Sequence, residues 1–201
     1  MKTLTTLLFV FLSISTFAQA GYAFQLEKER TEKNELFKSD SSILNPKERD
    51  NLIALDFFAI DKRYKVVAKI TKNRGKKFKM QTSTDRLPIY RRYGFIEFTL
   101  NDTLVKLSVY ENLGLKKMKE YKNYLFLPVY DYTCPTISYG SGRYLDLVKP
   151  KGKEIEVDFN LLYNPYCAYS NRYSCPVTPK ENRINLAILA GEKIPKLKNH
   201  D

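Results

Sequence analysis

Cys167 and Cys175 stand eight positions apart in the chain's least ordinary stretch, NLLYNPYCAYSNRYSCPVTPKEN from Asn160 to Asn182. A thiol becomes a nucleophile only as its thiolate, which takes a nearby cation or helix start to lower its pKa. Arg172 and Arg143 could supply that charge, and Asp158 or Glu181 could assist. Tyr163, Tyr166, Tyr169 and Tyr173 share the stretch with four asparagines and three prolines. Their hydroxyl and amide groups can hold a polar ligand or satisfy backbone. The competing reading is a self-bonded loop that covers one end of a barrel.

A second cluster is YGSGRYLD, residues 139–146. Its two glycines allow a tight turn or a close ligand approach, and Arg143 is a permanent cation beside them. It is no phosphate loop, because the Gly-x-x-x-x-Gly-Lys pattern and the following helix are missing. A third cluster, Tyr90-Arg91-Arg92-Tyr93-Gly94, pairs cations with aromatics. Adjacent arginines in a strand point to opposite faces, so at most one serves a given pocket. The single histidine is His200, the penultimate residue. Histidine-dependent triads and histidine metal sites are set aside on that ground, since each needs an imidazole held in a formed site. No metal and no cofactor is expected.

The elements that position these clusters follow from patterning. Residues 1–20 read as a secretory signal: Lys2, the apolar run Leu7 to Leu12, then Ala18-Gln19-Ala20 as the exit. The apolar run is too short for a spanning helix of about 20 residues. No cysteine follows the exit until Cys134, so lipid attachment at the new amino terminus is not expected. The mature chain is expected to start at Gly21, to be soluble and periplasmic or extracellular, and to have no transmembrane segment.

Among 201 residues, 34 are Lys or Arg and 22 are Asp or Glu, with a hydrophobic share of 43%. That composition excludes disordered, collagen-like and coiled-coil chains. Removing Lys2 with the signal leaves 33 basic against 22 acidic residues, or +11. The basic residues are scattered in turns and ends, which reads as a solvated surface rather than a nucleic-acid footprint.

Residues 24–39 read as a helix of strong helix formers, and Pro46 to Leu55 as a short second one. Strands are expected at 64–71, 78–80, 94–100, 103–111, 124–129, 143–148, 155–159 and 184–189, with Asn101-Asp102 as a hairpin turn. The fold class is therefore mainly β: an antiparallel sandwich or small barrel of about eight strands with an N-terminal helical arm, one domain over 21–201. Ile155, Val157 and Phe159 share one face, placing Asp158 and Asn160 on the other. With Lys151-Gly152-Lys153 read as a tight turn, the 143–148 and 155–159 strands become antiparallel neighbours. Arg143 would then approach Asn160 as the principal cation, with Asp158 and Asn164 beside it.

The motifs YRRYGF (90–95), YGSGRYLDL (139–147), the 158–182 stretch and ILAGEK (188–193) resemble the bacterial family catalogued as domain of unknown function 1684. The resemblance covers roughly residues 25–193 and carries no established reaction. It implies that the matching polar residues matter: Arg92, Tyr139, Arg143, Asp146, Asp158, Asn160, Tyr163, Asn164, Tyr166, Cys167, Tyr173, Cys175, Glu181 and Asn182. The expected ligand-binding set is accordingly Arg143, Asp158, Asn160, Asn164, Tyr163, Tyr166, Arg92 and Tyr139. One departure stands before YGSGR, where Thr133-Cys134-Pro135-Thr136-Ile137 replaces small polar residues and an acid.

Cys167 and Cys175 are also a disulfide candidate, because export permits oxidation and the seven residues between them close a short loop worth about 2.5 kcal/mol. Cys134 is then the odd, buried thiol. The alternative keeps both loop thiols reduced, since both belong to the family motif whether or not a member is exported. The functional expectation is a binding module for a small polar or anionic ligand. A structural or envelope-interaction protein comes second, and a cysteine- or carboxylate-dependent enzyme third.

Overall fold

The computed structural model describes residues 3–198, with side chains from residue 21 onward. Side chains of the expected signal segment, and His200, lie outside what is described. Two compact units, Met1–Asn45 and Pro46–Asp201, make up the chain.

The first unit is one helix, α1 (Thr3–Lys38), which covers the expected 24–39 helix to within one residue of its end. Its described part carries Lys28–Glu32 and Glu27–Arg30 pairs at 3.8 and 3.9 Å, and Gln25 donates to Glu29. Such exposed pairs add only tenths of a kcal/mol each. Serine hydroxyls end the helix: Ser39 Oγ donates to the Leu36 carbonyl and Ser42 Oγ to that of Phe37, filling acceptors that a helix end leaves open. No helix among the described residues is long and apolar enough to cross a membrane.

The second unit is mainly β. After α2 (Pro46–Asn51) come β1 (Leu52–Ala54), β2 (Lys65–Lys72), β3 (Lys77–Lys79), β4 (Ile89–Leu100), β5 (Thr103–Asn112), β6 (Tyr124–Val129), β7 (Arg143–Val148), β8 (Glu154–Asp158) and β9 (Lys196–Leu197). β1 pairs with β9, and the other seven form one antiparallel sheet, ordered β7-β6-β5-β4-β2-β8 with β3 added on β4. The expected second helix is shorter than read, because Leu52 to Ala54 is drawn into the ladder with β9.

Two apolar clusters cover the two faces. The larger takes Ala68 and Ile70 from β2, Ile96, Phe98 and Leu100 from β4, and their counterparts on β5 to β8. The smaller is aromatic: Tyr90, Tyr110, Phe126 and Tyr144 with Met80. Tyr90 and Ile96 would share a face in a regular strand, yet they serve opposite clusters. A bulge between Arg92 and Gly94 switches the alternation. Gly94 is required there, since a Cβ would stand 2.3 Å from the Thr71 carbonyl oxygen.

The tight turn expected at Lys151-Gly152-Lys153 does not join neighbours. β7 and β8 stand at opposite ends of the strand order. In a flat sheet they would lie about 24 Å apart, while the chain from Val148 to Glu154 reaches about 21 Å at most. The sheet must curl, and it does, as a half-barrel.

Residues 184–189 form no strand. Their apolar side chains enter the core as the alternation predicts, with Ile188 fully buried. Backbone bonds to Tyr130 and Tyr132 hold the segment as far as Leu186, the Ile184 N–H donating to Tyr130 O and the Tyr132 N–H to Leu186 O, and side chains take over at Ile188. Asp131 Oδ2 accepts the Ile188 N–H, and Arg143 takes the Ile188 carbonyl.

Candidate functional site

The YGSGR turn delivers Arg143 to the core face of β7, where it is 1% exposed. Its Nη1 donates to the carbonyls of Ala190 and Glu192, and its Nη2 to Ile188 O at 2.9 Å, Thr133 Oγ1 at 3.4 Å and Asp131 Oδ2 at 3.2 Å. The Phe58 ring lies 5.4 Å from the guanidinium. Burial pulls its pKa below the ordinary arginine value, and the Asp131 charge opposes that pull. Gly191 makes this cage possible. It holds φ +77°, and a Cβ would meet the Leu162 carbonyl oxygen at 2.5 Å. The expected pairing of the 143–148 and 155–159 strands, which was to bring Arg143 towards Asn160, does not occur.

Asp158 and Asn160 do lie together, as alternation indicated, but they bind protein. Asp158 Oδ1 accepts the backbone and side-chain N–H of Asn160, and Asn160 clamps the backbone of Asp61 from both sides. Asn164 is equally enclosed. Its Nδ2 donates to Lys193 O, its backbone N–H to Glu192 Oε2, and Tyr169 Oη donates to the same carboxylate. Arg92 lies elsewhere, bonded to Asn73 and stacked 4.4 Å over the Phe95 ring. The expected set is thus not gathered into one open pocket.

The YGSGR turn and the YNPYCAY loop do meet, at the free edge of β7. Tyr144 and Tyr163 exchange both backbone hydrogen bonds, at 2.8 and 2.9 Å. Tyr163 Oη and Tyr124 Oη both donate to Asp146 Oδ1. Tyr166 is 45% exposed and packs edge-on against Tyr173. Tyr139 Oη donates to Cys167 Sγ at 3.5 Å, and the Cys167 N–H donates to Cys175 Sγ at 3.2 Å. All three cysteines are free thiols, and Cys134 is buried against Asp131 and Ser138. The cysteines of the loop are therefore adjacent, as expected, and unbonded here.

A wide opening lies away from these motifs. It is a cleft of about 900 Å³ between β3, the start of β4 and the turn after β5. Lys77, Lys79, Arg86 and Lys117 line it, with Phe78, Pro88, Ile89, Leu113 and Leu115 as apolar wall. No carboxylate is among its lining residues. The three lysines have no ion-pair partner among the described residues, while Arg86 donates to Ser174 O at 2.5 Å. The three lysines stand in scattered basic runs of the sequence and Arg86 stands alone, so none marks a site by itself. Only pairing of β3 with β4 and the fold-back after β5 bring them together. Asp131 and Glu192 were likewise missed as organisers, whereas Asn182 is among the residues the resemblance implied. Asn182, fully buried, bonds Ser108 on β5 through both amide atoms and the Pro128 carbonyl on β6.

The family model described as "Protein of unknown function (DUF1684)" matches residues 51–193. No curated protein matches the chain. Among solved structures, the solution NMR structure of the uncharacterised protein from gene locus rrnAC0354 of Haloarcula marismortui is similar. It is 33% identical, aligns over 88% of this chain and 96% of its own, and superposes with a TM-score of 0.64.

Proposed function

We propose that this chain, which belongs to the DUF1684 family, is an exported binding module whose ligand is a small anion held in the Lys77–Arg86–Lys117 cleft. One observation carries the reading: four cations line a single cleft from which carboxylates are absent. Some cations elsewhere are paired, as Lys65 is with Glu156 and Lys106 with Glu97. A cleft that keeps three lysines without ion pairs raises the local concentration of anions. Phe78, Pro88 and Ile89 add apolar surface for the rest of such a ligand. Export is supported by the charged start, apolar run and A-x-A exit of residues 1–20.

A structural role is the second reading, favoured by a different observation. Arg143, Asp158, Asn160 and Asn164 direct their polar groups at backbone and at one another. Calorimetric titration with inorganic phosphate and with citrate at low ionic strength separates the two. Saturable binding is expected, weakened about tenfold by the Lys77→Gln/Lys79→Gln double variant and suppressed by added salt. Binding unchanged in that variant, or absent for both anions, would refute the cleft as a ligand site.

A further inference from the structure

We propose that Cys167 and Cys175 form a reversible dithiol–disulfide couple that exchanges with low-molecular-weight disulfides, Cys167 attacking and Cys175 resolving. The inference stands apart from the anion cleft and rests on how the two sulfurs are held.

Cys167 sits in the single 3-10 turn Tyr166–Ala168 that follows Pro165, and it is partly exposed. Cys175 lies behind it, 8% exposed. Its backbone is fixed against the loop between β3 and β4: Ser83 N–H donates to Cys175 O at 2.9 Å, and Cys175 N–H to Ser83 Oγ at 3.1 Å. The Cys167 N–H reaches back to Cys175 Sγ. An outer sulfur that solvent reaches and an inner one anchored beside it is the arrangement that sequential exchange needs.

The surrounding groups favour charge on the outer sulfur. The Cys175 thiol hydrogen bonds to Cys167, with help from Tyr139 and Ser83, and this holds the Cys167 thiol below its ordinary value against the effect of burial. The same hydrogen bond, with burial, pushes Cys175 up. The ionisable and polar groups facing the pair are Tyr139 and Tyr144 from the YGSGR segment and Ser83 and Arg86 from the β3–β4 loop. Cys134 is excluded from the role, because burial raises its thiol pKa.

The chemistry balances without any further reactant. The Cys167 thiolate attacks one sulfur of a disulfide RSSR, forming Cys167–S–S–R and expelling RS⁻, which takes a proton from solvent. Cys175 then gives up its proton and attacks the Cys167 sulfur. The S–S bond to R breaks, the Cys167–Cys175 bond forms, and the second RS⁻ takes up the proton that Cys175 released. Two electrons pass from the protein dithiol to RSSR, which leaves as two thiols.

Equilibrating the purified mature protein in oxidised and reduced glutathione, then alkylating and mapping peptides, reads the couple directly. A single two-electron transition linking Cys167 to Cys175 is expected, with Cys134 alkylated throughout. In Cys175→Ser the exchange is expected to stop at a mixed disulfide on Cys167. In the wild type, Cys167 should react with iodoacetamide at least about tenfold faster than Cys134 at pH 7, with an inflection below the ordinary thiol value of about 8.5. Tyr139→Phe should move that inflection upward, since Tyr139 is a positioning residue for the thiolate. Failure to form the Cys167–Cys175 bond at any glutathione ratio would overturn the proposal. So would equal alkylation rates at Cys134 and Cys167, a wild-type measurement that depends on no variant folding.

Discussion

Deleting the Arg143 side chain would leave the Asp131 carboxylate buried without its cation and three carbonyls, those of Ile188, Ala190 and Glu192, without their shared donor. Breaking a buried pair from one side costs about 3–5 kcal/mol. Arg143→Ala is therefore expected to lose that much in a denaturant titration, and a loss under about 0.5 kcal/mol would contradict the cage. Glu111 shows the converse arrangement, a buried acid among Arg91, Lys116 and Lys149. Burial would raise its carboxyl, but hydrogen bonds from Lys116, Lys149 and Arg91 prevail and hold it at about 2. Arg143 stood out in the YGSGR turn, but the partners of neither centre were legible in the sequence. A residue's type says that a guanidinium can bridge five acceptors, but not that the acceptors come from a segment 47 positions later.

Among the elements, the β4–β5 hairpin was the most legible, because its alternation and its turn chemistry agree. Asn101 and Asp102 occupy φ +48° and +57°, the left-handed pair of a tight hairpin turn. Asp102 carries a Cβ penalty in that region that glycine avoids. Asp102→Gly is expected to stabilise the protein by about 0.5 kcal/mol, seen as a higher thermal midpoint; a lower midpoint would show that the aspartate side chain contributes more than its backbone strain costs. The β7 range was read to the residue, and β6 likewise. The 184–189 strand was misread, and the reason is physical. Alternation reports which side chains face the core and says nothing about what satisfies the backbone. Here the backbone of Tyr130 and Tyr132 does so for Ile184 and Leu186, and Asp131 and Arg143 do so for Ile188. The pairing of β7 with β8 failed on a related point, since a short connection implies nearness in space but not adjacency in a sheet, once the sheet curls.

At the scale of the molecule, mainly-β architecture and family membership were legible because many short alternating segments and four long motifs each carry part of the signal. The anion cleft was not, because it depends on where β3 docks. With residues 1–20 removed, the mature chain keeps a charge of +11 and no cysteine ahead of Cys134. Amino-terminal sequencing of protein recovered outside the cytoplasm is expected to begin at Gly21. Recovery of an intact Met1 in the membrane fraction would refute the cleavage.

The cage around Arg143 also sets an order in time. Synthesis and export both run from the amino end, so the residues of β2 to β8 are delivered before Ile188, Ala190 and Glu192. Until then the guanidinium has Asp131 and Thr133 but none of its backbone acceptors, and burying it in that state is costly. The half-barrel therefore has reason to stay open until its last core segment arrives, and a chain interrupted before Glu192 cannot close over a satisfied arginine. A chain stopped before Glu192 is therefore expected to meet proteases as an unfolded product rather than as a near-native one.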